Sequence, residues 1–270
     1  MKKLIWFLMF VTTLLDTYAQ NNIVFPLKPS DNKRYFVDRN NQPFLIKEFS
    51  AWGMIQALSE DDASAFLNSI KQKGFNTILT SIVSNAPSQM GGNPPYWQGI
   101  SPFTIQWDFS TPNETYFKHV DAIFKIAELK GFLVMALPFY MGYRTDPTQG
   151  WWDELLDKNN DTLKMRKYGA FIGKRYKNIT NVLWVAGGDN NCDSNFYAYE
   201  KNMIEGVRSV DKDHLWCGHF DMNLGSVWST DNKLFKGVMD IDGEYAWTES
   251  VLFEKGRCIN LSYLNIKKAK

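Results

Sequence analysis

From Asn181 to Asn191 the chain reads NVLWVAGGDNN, an apolar run that stops at two glycines and a carboxylate. Residues 182–186 predict a strand buried on both faces, and Gly187 and Gly188 let the backbone turn while leaving open space around Asp189. An acid at the C-terminal end of a buried parallel strand is placed for proton transfer or attack at the mouth of a barrel. The same residues also suit an ordinary strand-to-helix turn in which Asp189 or Asp193 caps the next helix. On this segment alone the two readings stay open.

Other residues with chemical potential fall at similar places. Asp240 and Asp242 alternate with Met239 and Ile241 and so share one face of an extended run, and Glu244 follows, flanked by Gly243, Tyr245 and Trp247. His219 closes another apolar run, but no Ser or Cys nucleophile elbow accompanies it. With His119, His214 and His219 and with Cys192, Cys217 and Cys258, the chain has no His-x-x-His or Cys-x-x-Cys spacing. No metal and no cofactor is expected. Asn190 and Asn191 suit either hydrogen bonds to a ligand's hydroxyls or the shaping of a turn.

The whole chain sets limits on the function class. Its 270 residues, 44% hydrophobic and 15% aromatic, suffice for one large core, and a formal charge of +1 offers no electrostatic footprint for nucleic acid. Residues 1–19 carry Lys2 and Lys3, an apolar stretch from Leu4 to Leu15 and a small-residue end at Ala19. That pattern predicts an export signal, with a periplasmic or extracellular mature chain starting at Gln20 and keeping no membrane span.

The elements that must position these residues come as repeated strand-helix units. Residues 24–38 predict a hairpin, a lead-in over 20–42, and Phe44–Trp52 the first main strand. Ser59 and Asp62 start a helix that Lys73 and Gly74 end. Residues 75–83 form the second strand. A long aromatic insertion from Ser84 to Pro112 is expected to line or cover a cleft. A helix starting at Thr111 and Pro112 leads to the third strand, 132–138, and a helix over 161–176 to the fourth, which ends at Asp189. A helix over 193–210 follows, then a fifth strand over 214–219 and a sixth over 237–242. Parallel pairing with right-handed crossovers follows from this alternation. Without a G-x-G-x-x-G loop after the first strand, a TIM-type (β/α)8 barrel is preferred to a doubly wound sheet. About six of its eight units are present.

At this point the chain resembles a family of bacterial exported glycoside hydrolases with a (β/α)8 barrel, related to the apiosidases that act on pectic side chains. The likeness rests on Leu27 to Asp38 with Gln42, Pro43 and Phe44; on Ser50, Ala51 and Trp52; on Lys73 to Asn76; on Asn181 to Asp189; and on Asp211 to Leu215. It implies hydrolysis of a glycosidic bond in a complex polysaccharide by two carboxylates. Asp189 is then one of them, as general acid, and Glu244 the best partner among the residues present. Trp52, Tyr140, Trp151, Trp152 and Trp247 become candidates for stacking on a sugar ring, with Asn190, His219 and Tyr245 as further contacts. The family typically has an Asp where this chain has Phe49, with Glu48 beside it. Its second carboxylate lies beyond the sixth strand, whereas residues 258–270 read as an atypical tail after a barrel domain over 43–257. Two alternatives follow: an inactive, shortened relative that at most binds carbohydrate, and a structural surface-associated barrel with no ligand; self-association through the open barrel edge is expected as well.

Overall fold

The computed structural model describes residues 23–84, 97–143, 150–151, 155–156, 160–190, 192, 196–220, 229 and 232–243. Residues 1–19, expected as an export signal, the tail 258–270, Asn191, Trp152, Asp193, Glu244, Tyr245 and Trp247 lie outside the described residues.

A short antiparallel sheet opens the chain, with β1 (Lys28–Pro29), β2 (Phe36–Val37) and β3 (Pro43–Phe44) in that order. The expected lead-in hairpin is thus a three-stranded sheet, and Pro43 and Phe44 pair with β2 instead of opening the main strand. The parallel sheet contains β4 (Glu48–Ser50), β5 (Thr77–Ser81), β6 (Leu133–Leu137), β7 (Val182–Gly187) and β8 (Trp216–His219). The helices between them are α1 (Met54–Ala57), α2 (Glu60–Gln72), α3 (Glu114–Leu129), α4 (Thr162–Tyr176) and α5 (Tyr197–Arg208).

The five parallel strands lie side by side in chain order, β4-β5-β6-β7-β8. That order separates a barrel from a doubly wound sheet, because every crossover travels the same way and no switch point arises. Two buried clusters occupy the two faces. Ile78, Val134, Ala136, Val182, Trp184 and Trp216 pack with the helices. Leu79, Leu133, Leu137, Leu183, Val185 and Cys217 pack on the other face with Phe25, Phe36 and Phe44 of the lead-in. The lead-in sheet therefore covers the inner face, as a plug does at one end of a barrel. The architecture is α/β with barrel topology.

Local chemistry explains most boundaries. The Ser59 hydroxyl accepts the Asp62 N–H and so caps α2. Asn113 caps α3, two residues later than the expected start, because Pro112 is held in a bridge with Phe103. Asp161 caps α4. Gly169 on α4 lies against the Met203 carbonyl and Gly206 on α5 against that of Arg166, at 2.0 and 2.2 Å from where a Cβ would stand. The two helices therefore touch backbone to backbone.

The expected sixth strand over 237–242 is corrected. Gly237 turns at φ +77°, and Asp240 and Ile241 both donate N–H to the Trp216 carbonyl of β8. The Asp240 carboxylate then accepts from the Trp216 N–H and from Arg208, so a side chain takes the place of regular strand pairing. The first strand is shorter than expected, although Ala51 N–H still donates to Leu79 O and Trp52 O accepts from Ser81 N–H. Among the described residues no helix is long and apolar enough to cross a membrane.

Candidate active site

β7 is buried along its whole length and delivers its end to the C-terminal rim of the sheet. There the chain makes three consecutive left-handed residues, Gly187 at φ +89°, Gly188 at +99° and Asp189 at +58°. A non-glycine residue in that region is strained, and such strain gathers at functional sites. The surroundings hold it in place. Gly187 N–H donates to Glu200 Oε1 at 3.1 Å, Gly187 O accepts from Met141 N–H, and Gly188 N–H donates to His219 O at 2.8 Å.

The glycines are required by close approach as well as by φ. A Cβ on Gly188 would stand 2.6 Å from Cδ2 of Tyr140, and one on Gly187 would stand 2.7 Å from the His219 carbonyl. Because Gly188 has none, the Tyr140 ring lies over the turn and its hydroxyl donates to Asp189 Oδ2 at 3.0 Å. Gly188→Ala is expected to lower stability by about 1–3 kcal/mol, through overpacking and a forbidden φ. Denaturant unfolding measures it, and a loss within ~0.5 kcal/mol would contradict the close approach.

Four rim positions converge. Tyr140 follows β6, Trp52 follows β4, His219 ends β8 and Asp189 follows β7. The Trp52 ring lies 5.1 Å from that of Tyr140 and 5.2 Å from that of His219. His219 Nδ1 is 3.3 Å from Asp189 Oδ1 and 3.4 Å from the Asp189 N–H. Burial lowers the His219 pKa below its ordinary value, although the Asp189 charge pulls the other way. The ring is therefore neutral near pH 7, with Nδ1 as acceptor and Nε2 as donor. Asp189 Oδ1 is buried and accepts no hydrogen bond from any described residue. A buried carboxylate oxygen without a donor is costly unless a ligand supplies one.

The sequence-predicted residues thus separate. Asp189, Tyr140, Trp52 and His219 are brought together. Asp189 does not cap α5, whose N-cap position is Phe196. Asn190 Oδ1 accepts the Cys192 N–H, a turn-shaping contact. Trp151, a stacking candidate, is instead fully buried among Phe103 and Phe109. Phe49 points to the helices, edge-on to Phe66 and Phe75, while Glu48 receives the Ser50 hydroxyl. Burial raises the Glu48 pKa above its ordinary value despite that bond. Asp240 is engaged with Arg208 and Asp242 is fully buried. Cys192 and Cys217 are both buried. Among the described residues no group of three or more His, Cys, Asp and Glu converges as metal ligands.

One residue escaped the sequence reading. Glu200 is 1% exposed and lies on the apolar stripe of α5 with Met203, Ile204 and Val207. The available signal was its spacing: a carboxylate at position i with apolar residues at i+3, i+4 and i+7.

The comparisons with known proteins agree with this geometry. The family described as "Apiosidase-like, catalytic domain" matches residues 30–249. A solved glycoside hydrolase is similar at 24% identity and a TM-score of 0.59, over 72% of this chain and 41% of its own. A glycoside hydrolase family 5 structure from Bacteroides vulgatus ATCC 8482 is similar at 25% identity and 0.59, over 72% and 39%. An endo-1,4-beta-mannanase from Rhizomucor miehei, at 14% identity and 0.50 over 71% and 60%, shares the fold. The chain thus spans about two fifths of the length of the first two structures. No match was found among curated proteins. By the family match over residues 30–249, most of its length, this chain belongs to the apiosidase-like catalytic-domain family.

Proposed function

We propose that this chain hydrolyses a glycosidic bond in a complex carbohydrate, a pectic polysaccharide being the substrate class, with Asp189 acting at the scissile bond. The observation that carries the reading is Asp189 itself: a strained, buried carboxylate with one oxygen held by Tyr140 and the other accepting no hydrogen bond among the described residues. When protonated, that oxygen can donate to the glycosidic oxygen and deliver its proton as the bond to the anomeric carbon breaks. The leaving alcohol departs with that proton. A second carboxylate activates water or attacks from the opposite face. Glu244 is the proposed partner, one residue beyond the described segment that runs beside β8.

The neighbours supply recognition. Trp52 offers an indole flanked by Tyr140 and His219, a surface suited to the apolar face of a sugar ring. Neutral His219 presents its Nε2–H to a hydroxyl, and Asn190, Tyr245 and Trp247 complete the proposed contacts. Export directed by residues 1–19 belongs to the same reading, since polysaccharide is met outside the cytoplasm. No cofactor takes part.

The test is incubation of the full chain, expressed with its leader and recovered outside the cytoplasm starting at Gln20, with a panel of pectic oligosaccharides and polysaccharides. Release of a shortened sugar with a new reducing end, identified by mass spectrometry and NMR, is the expected result. Saturable binding without turnover would replace hydrolysis by carbohydrate binding alone. Absence of both would remove the carbohydrate reading.

A further inference from the structure

Behind the rim, in the layer between sheet and helices, α5 places a carboxyl group where its stripe is otherwise apolar. Glu200 is 1% exposed, Oε1 accepts the Gly187 N–H at 3.1 Å, and Oε2 has no hydrogen-bond partner among the described residues. The surrounding shell is built from the same packing that joins α5 to α4, with Met203, Ile204 and Val207 all buried. A carboxyl with one oxygen left unpartnered in such a shell is a poor choice for stability alone. An apolar residue would fill the volume without that cost.

Its single bond explains its presence. Gly187 is the first of the three left-handed residues, so its peptide plane sets the direction of everything up to Asp189. We infer that Glu200 is the positioning residue of the site: from the buried side of α5 it holds the Gly187 N–H and so fixes the turn that aims the Asp189 carboxylate. Burial pushes the Glu200 carboxyl up to about 8, the Gly187 hydrogen bond opposing it, so near neutral pH it is an uncharged acceptor. A glutamine carbonyl can do the same work; an apolar side chain cannot. The inference rests on reading Asp189 as the acting carboxylate, but the geometry it concerns can be measured without a substrate.

His219 is the reporter, since its Nδ1 lies 3.3 Å from Asp189 Oδ1 and the Asp189 charge raises its pKa against the burial that lowers it. Among the described residues the uncharged Trp52 ring lies edge-on to the His219 ring at 5.2 Å. The chain has three histidines, so His119 and His214 serve as internal controls in an NMR titration. In Glu200→Leu the released turn carries Asp189 away, and His219 is expected to titrate about one unit lower, with His119 and His214 unmoved. Glu200→Gln is expected to leave all three where they stand in the parent chain. On a hydrolysed glycoside, Glu200→Leu should lose about 100-fold in kcat with KM changed less than about threefold, and Glu200→Gln should retain kcat within about threefold. An unshifted His219 in Glu200→Leu, or equal shifts in both variants, overturns the positioning role. If the parent chain turns over no glycoside, the titration still decides the role of Glu200, and only the reading of Asp189 as the acting carboxylate fails.

Discussion

Asp189→Asn is expected to lower kcat on a hydrolysed glycoside by about 1,000-fold while changing oligosaccharide affinity by less than about threefold. The substitution removes one proton-transfer group and leaves nearly everything else in place. Asparagine tolerates the left-handed region that Asp189 occupies at φ +58°, so the turn keeps its course. Its carbonyl can still accept from Tyr140, whose hydroxyl reaches Oδ2 at 3.0 Å. Its amide can donate to the neutral His219 Nδ1, now 3.3 Å from Oδ1. Both satisfied contacts predict an unchanged melting temperature. Initial rates and isothermal titration separate chemistry from binding, and turnover equal to that of the parent chain would remove Asp189 from the reaction.

The second large effect concerns stability at the opposite end of the same strand. Asp211 Oδ2 accepts from Trp184 Nε1–H at 2.9 Å and meets His214 Nδ1 at 2.7 Å, while His214 Nε2 reaches Ile179 O at 2.8 Å. Both ring nitrogens thus face acceptors, which suits an imidazolium. Burial opposes charge on each partner, but the pair prevails: His214 stands above its ordinary pKa and Asp211 below its own. Asp211→Ala is expected to cost about 3–5 kcal/mol near pH 6, because it strands a buried imidazolium and the Trp184 N–H.

The pH dependence has a defined sign. A histidine raised in the folded state contributes stability that is complete below its unfolded pKa and is lost as pH rises through its folded one. An aspartate lowered in the folded state contributes stability that is complete above its unfolded pKa and is lost as pH falls through its folded one. The pair therefore stabilises most between the ordinary pKa of an unfolded aspartate and that of an unfolded histidine, and loses this as pH falls toward the lowered Asp211 or rises toward the raised His214. The Asp211→Ala penalty should shrink from about pH 6 to about pH 9, as neutral His214 no longer needs a counter-charge. Chemical unfolding at both pH values checks this, and a penalty that grows with pH would refute the ion pair. This network explains Asp211 to Leu215 as a structural motif, since it ties the start of β8 to Trp184 and to the turn before β7.

Much of this architecture was legible in the residues. β6 and β7 are continuous apolar runs because parallel strands under helices are covered on both faces. Ser59 and Asp62 announce α2 by capping chemistry that needs no tertiary partner. Glycine pairs before an acid marked the end of β7 as unusual, since the demand for positive φ is local.

Other features depend on contacts between distant segments, and these were not legible. Residues 237–242 alternate like a strand, yet Asp240 spends its carboxylate on Trp216 and Arg208, and no local pattern encodes that. Trp151 follows a strand end as a sugar platform would, but the insertion closes over it with Phe103 and Phe109. Glu200 looks like a helix-surface acid until α5 docks on β7 and turns it inward. By itself the sequence determined most strands and helices of the parallel sheet, and that Asp189 follows a turn built on two glycines, because propensity, capping and φ are properties of neighbouring residues. Only the tertiary structure decided that Tyr140, 49 positions before Asp189, donates to it, that Trp52 and His219 flank the pair, and that Glu200 holds the turn from behind. Those meetings are set by the order of strands in the sheet and the packing of α5 upon it, which arise when the whole chain closes its core.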